Sequence, residues 1–155
     1  MAENYQIDST DRKILELLQK DARRPYLEIA RKLNVSGGTI HQRIEKLREA
    51  GIITGSQITL NPKKLGLNVT VLLGLHLNNA RDIEKVIAQL KTFPEVVEAQ
   101  FTTGSFALII KVMVADIGQF HSFLVHKIQS MPEIQSTESF ICLNEPIFRS
   151  FPVTT

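Results

Sequence analysis

Apolar positions recur along the first third of this chain with a helical period. Ile14, Leu15 and Leu18 form one stripe, and the spacing predicts a helix from about Ser9 or Thr10 to Asp21. Asp8, Ser9 and Thr10 offer capping oxygens, and Asp11 suits the positive end of the helix. After a connection at residues 22–24, Pro25 fits the first turn of a second helix with Ile29, Ala30 and Leu33 on one face. Asn34-Val35-Ser36 reads as a short turn. Ser36 then caps a third helix, running to Ala50, whose buried stripe is Ile40, Ile44 and Leu47. Gly51 stands where chains commonly leave a helix. Residues 52–60 are predicted as a strand, the wing of the unit, and residues 61–66 as the start of a linker.

From residue 69 the rhythm changes. Val69, Val71, Leu73, Leu75 and Leu77 alternate as a half-buried strand does. Ile83, Val86, Ile87 and Leu90 make an amphipathic helix closed by Pro94. Val97, Ala99 and Phe101 alternate again. Thr103-Gly104-Ser105 reads as a tight turn into a strand over Phe106, Leu108, Ile110, Val112 and Val114. Asp116 caps a helix bearing Ile117, Phe120, Leu124, Ile128 and Met131, and a last strand covers about Ile134 to Leu143. The order βαββαβ predicts a ferredoxin-like domain. Phe93-Pro94-Glu95-Val96 is echoed by Met131-Pro132-Glu133-Ile134, as two similar βαβ halves require. The fold class is therefore α+β. A winged helix-turn-helix unit occupies residues 1–60, a linker 61–68, and a βαββαβ unit 69–155.

Charge separates the two units. Net charge is only +2 over 155 residues. Yet residues 23–48 hold seven bases against two acids, whereas from residue 61 onward eight bases meet eight acids. A basic N-terminal patch on a neutral remainder suggests a polyanionic partner for the first unit alone. No apolar run approaches a membrane span, Met1-Ala2-Glu3-Asn4-Tyr5 lacks signal-peptide features, and the single cysteine, Cys142, suits a reducing cytoplasm.

Two helices joined by a three- or four-residue turn, the second basic on its outer side, form a DNA-binding helix-turn-helix. A solvated basic face on a three-helix bundle is the alternative. Thr39, His41, Gln42 and Arg43 sit early on the third helix, where base edges are reached. Arg31, Lys32, Lys46 and Arg48 are better placed for phosphates. Ser36 caps the helix, while Gly37 and Gly38 remove bulk so that backbone N–H groups could approach a phosphate.

Catalytic and metal-binding readings find little. His121 and His126, five apart on a helix, point about 140° from each other. His76 stands alone on a strand, and Cys142, alternating with Phe140, reads as a buried small hydrophobe. There is no glycine-rich phosphate loop, HExxH or GxSxG. No catalytic residue, metal ligand or cofactor is assigned.

The run from Val35 to Ile53, with Val35-Ser36, Ile40, Arg43-Ile44, Lys46-Leu47 and Gly51-Ile52-Ile53, resembles the recognition helix of the Lrp/AsnC regulators. Ile7-Asp8-x-x-Asp11-x-x-Ile14-Leu15 resembles their first helix. Asn4-Tyr5, Gly51–Gly55, Ile110–Met113, Lys127–Gln129 and Glu133–Glu138 are similar to the asparagine-responsive branch. Gly37 departs from the pattern, since proline is expected there.

The resemblance implies sheets that pair into dimers, dimers that assemble into octamers, and an amino-acid effector seated between dimers. On this chain its site maps to Thr102, Thr103, Gly104 and Ser105 with Gln129, Gln135, Ser136, Thr137 and Glu138. Leucine-type members carry an acid where Ala107 stands, which favours asparagine and leaves Glu138 or backbone carbonyls to hold the ammonium. The expected protein is a cytoplasmic, effector-responsive binder of duplex DNA. The alternatives are a nucleoid-organising protein of the same family and an amino-acid-metabolising enzyme with a regulatory βαββαβ domain.

Overall fold

The computed structural model describes residues 5–153, so the Met1–Asn4 and Thr154–Thr155 parts of the readings above lie outside it. The chain divides into two compact units. One runs to Thr59 and includes the tail from Ile147; the other spans Leu60–Pro146.

In the N-terminal unit α1 covers Ser9–Lys20, α2 Tyr26–Leu33 and α3 Gly37–Glu49. Asp8 and Asp11 close a capping box at the start of α1, and Pro25 stands one residue before α2. Asn34 takes the left-handed conformation (φ 59°), which asparagine tolerates better than most residues, and turns the chain from α2 toward α3. Ile14, Leu17, Ile29, Ala30, Ile40 and Ile44 form the core.

The strand and wing expected over residues 52–60 do not form: residues 54–61 pair with no strand among the described residues. Gly51 is left-handed (φ 70°), and the Ile52 and Ile53 amides both donate to the Leu47 carbonyl, so they close the helix instead of starting a ladder. The tail also differs from expectation, since it packs with this unit and not with the βαββαβ unit. The Arg12 guanidinium donates to the Val153 carbonyl at 2.7 Å, and Gln19 donates to that of Phe151 at 3.3 Å. Between α1, the 52–57 segment and this tail lies a groove of about 770 Å³.

The second unit has β1 Val69–Leu77, α4 Ile83–Leu90, β2 Val96–Phe101, β3 Leu108–Val114, α5 Ile117–Phe123, a π-helical turn over Leu124–Ile128, and β4 Ile134–Ile141. The sheet is antiparallel in the order β2-β3-β1-β4, the ferredoxin-like arrangement expected. Val71, Leu73, Leu75, Leu108, Ile110, Val112 and Val114 face α4 and α5 and are almost wholly buried with Val86, Leu90, Phe120 and Ile128. Edge strand β2 lies beyond this cover, and Phe101 is 71% exposed although it alternates correctly. The sheet's other face is open. Leu72 and Phe140, paired across β1 and β4, are both exposed there. Cys142 shares their parity and is half-buried, not the core residue expected.

The sequence echo becomes a pair of crossed ties. Glu95, after α4, bonds Lys127 at 2.6 Å; Glu133, after α5 and the π turn, bonds Lys85 of α4. Each Pro-Glu turn thus anchors to the helix of the other half.

Candidate DNA-binding and effector sites

Helix α3 turns Ile40, Ile44 and Leu47 inward at 0%, 1% and 0% exposure. Its spacing therefore turns Gly38, His41, Gln42 and Lys46 outward, and all four are exposed. Thr39 is half-buried, and Arg31 and Lys32 on the last turn of α2 are exposed. The Ser36 side chain accepts from the Thr39 amide at 3.1 Å, and the two hydroxyls meet at 2.8 Å, so Ser36 serves as the cap expected of it. His41 stacks against Tyr26 at a ring separation of 6.0 Å, and Arg48 bonds Glu45 at 2.6 Å on the surface.

Arg43, expected near base edges, turns back onto the start of α1. Its Nη1 lies 2.7 Å from an oxygen of Asp8 and 2.9 Å from one of Asp11. Asp11 is 1% exposed, and its carboxylate also accepts from the Asp8 amide and from the Tyr5 hydroxyl. The Asp11 amide and the Arg43 guanidinium hold the Asp8 carboxyl below its usual range, and the two carboxylates raise the guanidinium further. Burial and then the bond to Asp11 push the Tyr5 hydroxyl up. The side chain is drawn inward because a buried carboxylate in an apolar stripe needs a cationic partner. A signal was present, since Asp11 falls three residues before Ile14 and seven before Leu18, on the stripe itself. The residues missed are Tyr5, Asp8 and Asp11.

The effector candidates are brought together only in part. Thr102 closes the β2–β3 loop: its amide donates to the Ala107 carbonyl and its hydroxyl to that of Phe106. Thr103, Gly104 and Ser105 form the exposed tip. Phe106 folds back over the open sheet face onto Gly74, where a methyl group would lie 2.6 Å from its ring, and contacts His76 at a ring separation of 4.8 Å. In β4, Ser136 pairs with His76 and Glu138 with Gly74, placing both on that same face. Thr137 pairs with Leu75 and points to the opposite face, while Gln135 falls in the β1–β4 irregularity. Gln129 ends the π turn, its amide donating to the Leu124 carbonyl at 2.8 Å, on the helical side of the sheet. Alternation thus splits a set that sequence proximity had joined.

Among the described residues no three His, Cys, Asp or Glu side chains gather as a metal site, and no helix is long and apolar enough to cross a membrane.

Residues 7–48 match the AsnC-type helix-turn-helix domain, and residues 68–150 match the Lrp/AsnC ligand binding domain. The chain is 50% identical over 145 residues to Regulatory protein AsnC of Haemophilus influenzae, covering 94% of this chain and 97% of that one. The chain belongs to the Lrp/AsnC family. The solved structure of Escherichia coli AsnC, 45% identical, superposes with a TM-score of 0.92 over 96% of this chain and 99% of that one. A Neisseria meningitidis transcriptional regulator solved with L-methionine, 24% identical, shares the fold at a TM-score of 0.91, covering 96% and 98%. The protein is accordingly a DNA-binding transcriptional regulator with a small-molecule effector domain. Its relatives are regulatory proteins, in keeping with the non-enzymatic reading.

Proposed function

We propose that this Lrp/AsnC protein is a cytoplasmic, sequence-specific regulator that responds to an amino acid, asparagine above others, and works as a dimer-based oligomer reaching the octamer. The exposed outer face of α3, with Gln42 and Lys46 opposite a fully buried stripe, carries this reading. Two such helices about one DNA turn apart require a pseudo-palindromic site. Thr39, His41 and Gln42 stand near base edges, while Arg31, Lys32, Lys46 and the amides of Gly37 and Gly38 meet phosphates. Arg48, tied to Glu45, contributes charge to the same face.

The amino-acid class is supported by the ligand-domain match and by the L-methionine complex of the Neisseria regulator. Gly104 and Ser105 offer backbone donors to a carboxylate, Glu138 and Ser136 lie on the face toward which that loop folds, and Glu138 accepts the ammonium. Thr103 borders the same tip. Effector binding then shifts DNA affinity by a coupling of about 1–3 kcal/mol.

A titration of the twenty amino acids by thermal shift and by mobility shift on a selected operator tests both parts. Asparagine is expected to raise the melting temperature and change operator affinity. At Gly104 a Cβ meets nothing within 4 Å, so Gly104→Val leaves the fold intact and should lose the response while keeping basal DNA binding. An unaltered calorimetric titration in Gly104→Val removes the loop from the site, and a wild-type protein indifferent to all duplexes removes the regulator reading.

A further inference from the structure

Resting on the DNA-binding reading, we infer that Arg43 is a positioning residue that sets the rotation of the recognition helix through Asp8 and Asp11, and does not itself read DNA. The apolar stripe of α3 holds the helix against α1 and α2, but apolar packing is non-directional and tolerates small rotations. The guanidinium adds direction. One nitrogen bridges two carboxylates of the α1 capping box at 2.7 and 2.9 Å, and Asp11 is itself fixed by Tyr5 at 3.0 Å and by the Asp8 amide at 3.1 Å. The anchored carboxylate is buried and the arginine side chain is 29% exposed, so solvent competes weakly for the inner bond.

The anchor stands beside the outward residues, next to Gln42 in sequence and one turn from Thr39 and Lys46. A helix with its side chains has a radius of about 5–6 Å, so a rotation of about 10° sweeps a side-chain tip by about 1 Å. Hydrogen-bond distances span a window of only about 0.5 Å. A small loss of rotational register therefore takes Gln42 out of reach of a base edge while leaving phosphate attraction nearly intact.

The test selects an operator from random duplexes with the wild-type protein. It then measures affinity for that operator and for a scrambled duplex across a salt series. The variants are Arg43→Gln, Arg43→Lys and the double variant Asp8→Asn/Asp11→Asn. The asparagines retain the caps, because Asn caps a helix about as well as Asp. Positioning predicts that the double variant, which adds net positive charge, nonetheless lowers the operator-to-scrambled ratio on the order of tenfold, the scale of a lost side-chain contact to a base edge. Arg43→Gln lowers it equally with an unchanged salt slope, and Arg43→Lys recovers part. A double variant with the wild-type ratio overturns the inference, even where Arg43→Gln fails to fold. A salt slope reduced by about 0.9 in Arg43→Gln also overturns it, since that is the mark of a lost phosphate contact. A wild-type selection yielding no preferred duplex refutes the sequence-specific reading and the inference together.

Discussion

Gly38→Ala separates stability from DNA contact at one atom. Gly38 is the second residue of α3, exposed, with φ in the ordinary negative range. A Cβ built there meets only the Ser36 Oγ, at 3.8 Å, an ordinary van der Waals contact. Nothing in the folded state opposes the methyl, and the unfolded chain loses freedom, so the substitution should stabilise by about 0.4–1 kcal/mol. For a unit of this size that raises the melting temperature by roughly 2–8 °C. Gly37→Ala is the internal control. Its Cβ would stand 3.0 Å from Cδ2 of Leu27, a side chain 63% exposed and free to swing, so part of the gain is spent moving it and the rise is smaller. If the glycine amides meet a phosphate, the methyl at position 38 stands in the approach path. Operator affinity should then fall by about tenfold or more, the cost of a charge-assisted hydrogen bond. Calorimetric melting and mobility-shift titration of both variants read the two effects. A Gly38→Ala protein that melts no higher than wild type refutes the stability argument. One that melts higher and binds operator as tightly as before refutes close approach of the backbone to DNA.

Two further outcomes follow from the second unit. Gly74→Ala drives a methyl into the Phe106 ring at 2.6 Å, so overpacking of about 1–3 kcal/mol should lower the melting temperature; an unchanged melt shows that Phe106 does not rest there. The Lys85 hydrogen bond holds Glu133 below its usual range; burial pushes Glu95 up, but the Lys127 hydrogen bond, a backbone amide and the Lys127 charge together outweigh it and leave Glu95 lowered as well. A depressed carboxyl contributes stability above the unfolded value and loses it as pH falls through the folded one. Melting temperature should therefore be insensitive to this pair near neutrality and drop below about pH 4.5. Glu133→Gln should flatten part of that acid limb, and equal limbs in both proteins dismiss the Lys85–Glu133 tie as a source of it.

What the chain announces in advance is whatever its own residues bury. Among the described residues the five α-helices and four strands emerge within a few positions of where period-3.6 and period-2 patterning put them, because each packs its apolar side against neighbours in the same unit. Residues 52–60 carry apolar side chains as well, but Ile58 and Leu60 are 65% and 61% exposed and no ladder receives them. A strand is defined by its partner, and pattern alone does not supply one. Arg43 illustrates the same limit from the polar side. Its partners stand 35 and 32 residues earlier, so a helical wheel that marks the position as partly outward is silent about where a long side chain turns.

The effector region was the least legible part, for a geometric reason. Residues 135–138 are neighbours in sequence, yet a strand sends successive side chains to opposite faces, and one small ligand lies against one face. The β1–β4 register decides between them. Ser136 and Glu138 join the open face beneath Phe106, and Thr137 is turned toward α4 and α5. That register is fixed by the apolar set Val71, Leu73 and Leu75, since a slip of one residue would bring these three out of the core. The same burial that stabilises the sheet therefore selects which polar residues of β4 stand on the side of the Gly104 loop, although none of the selecting residues can touch an effector.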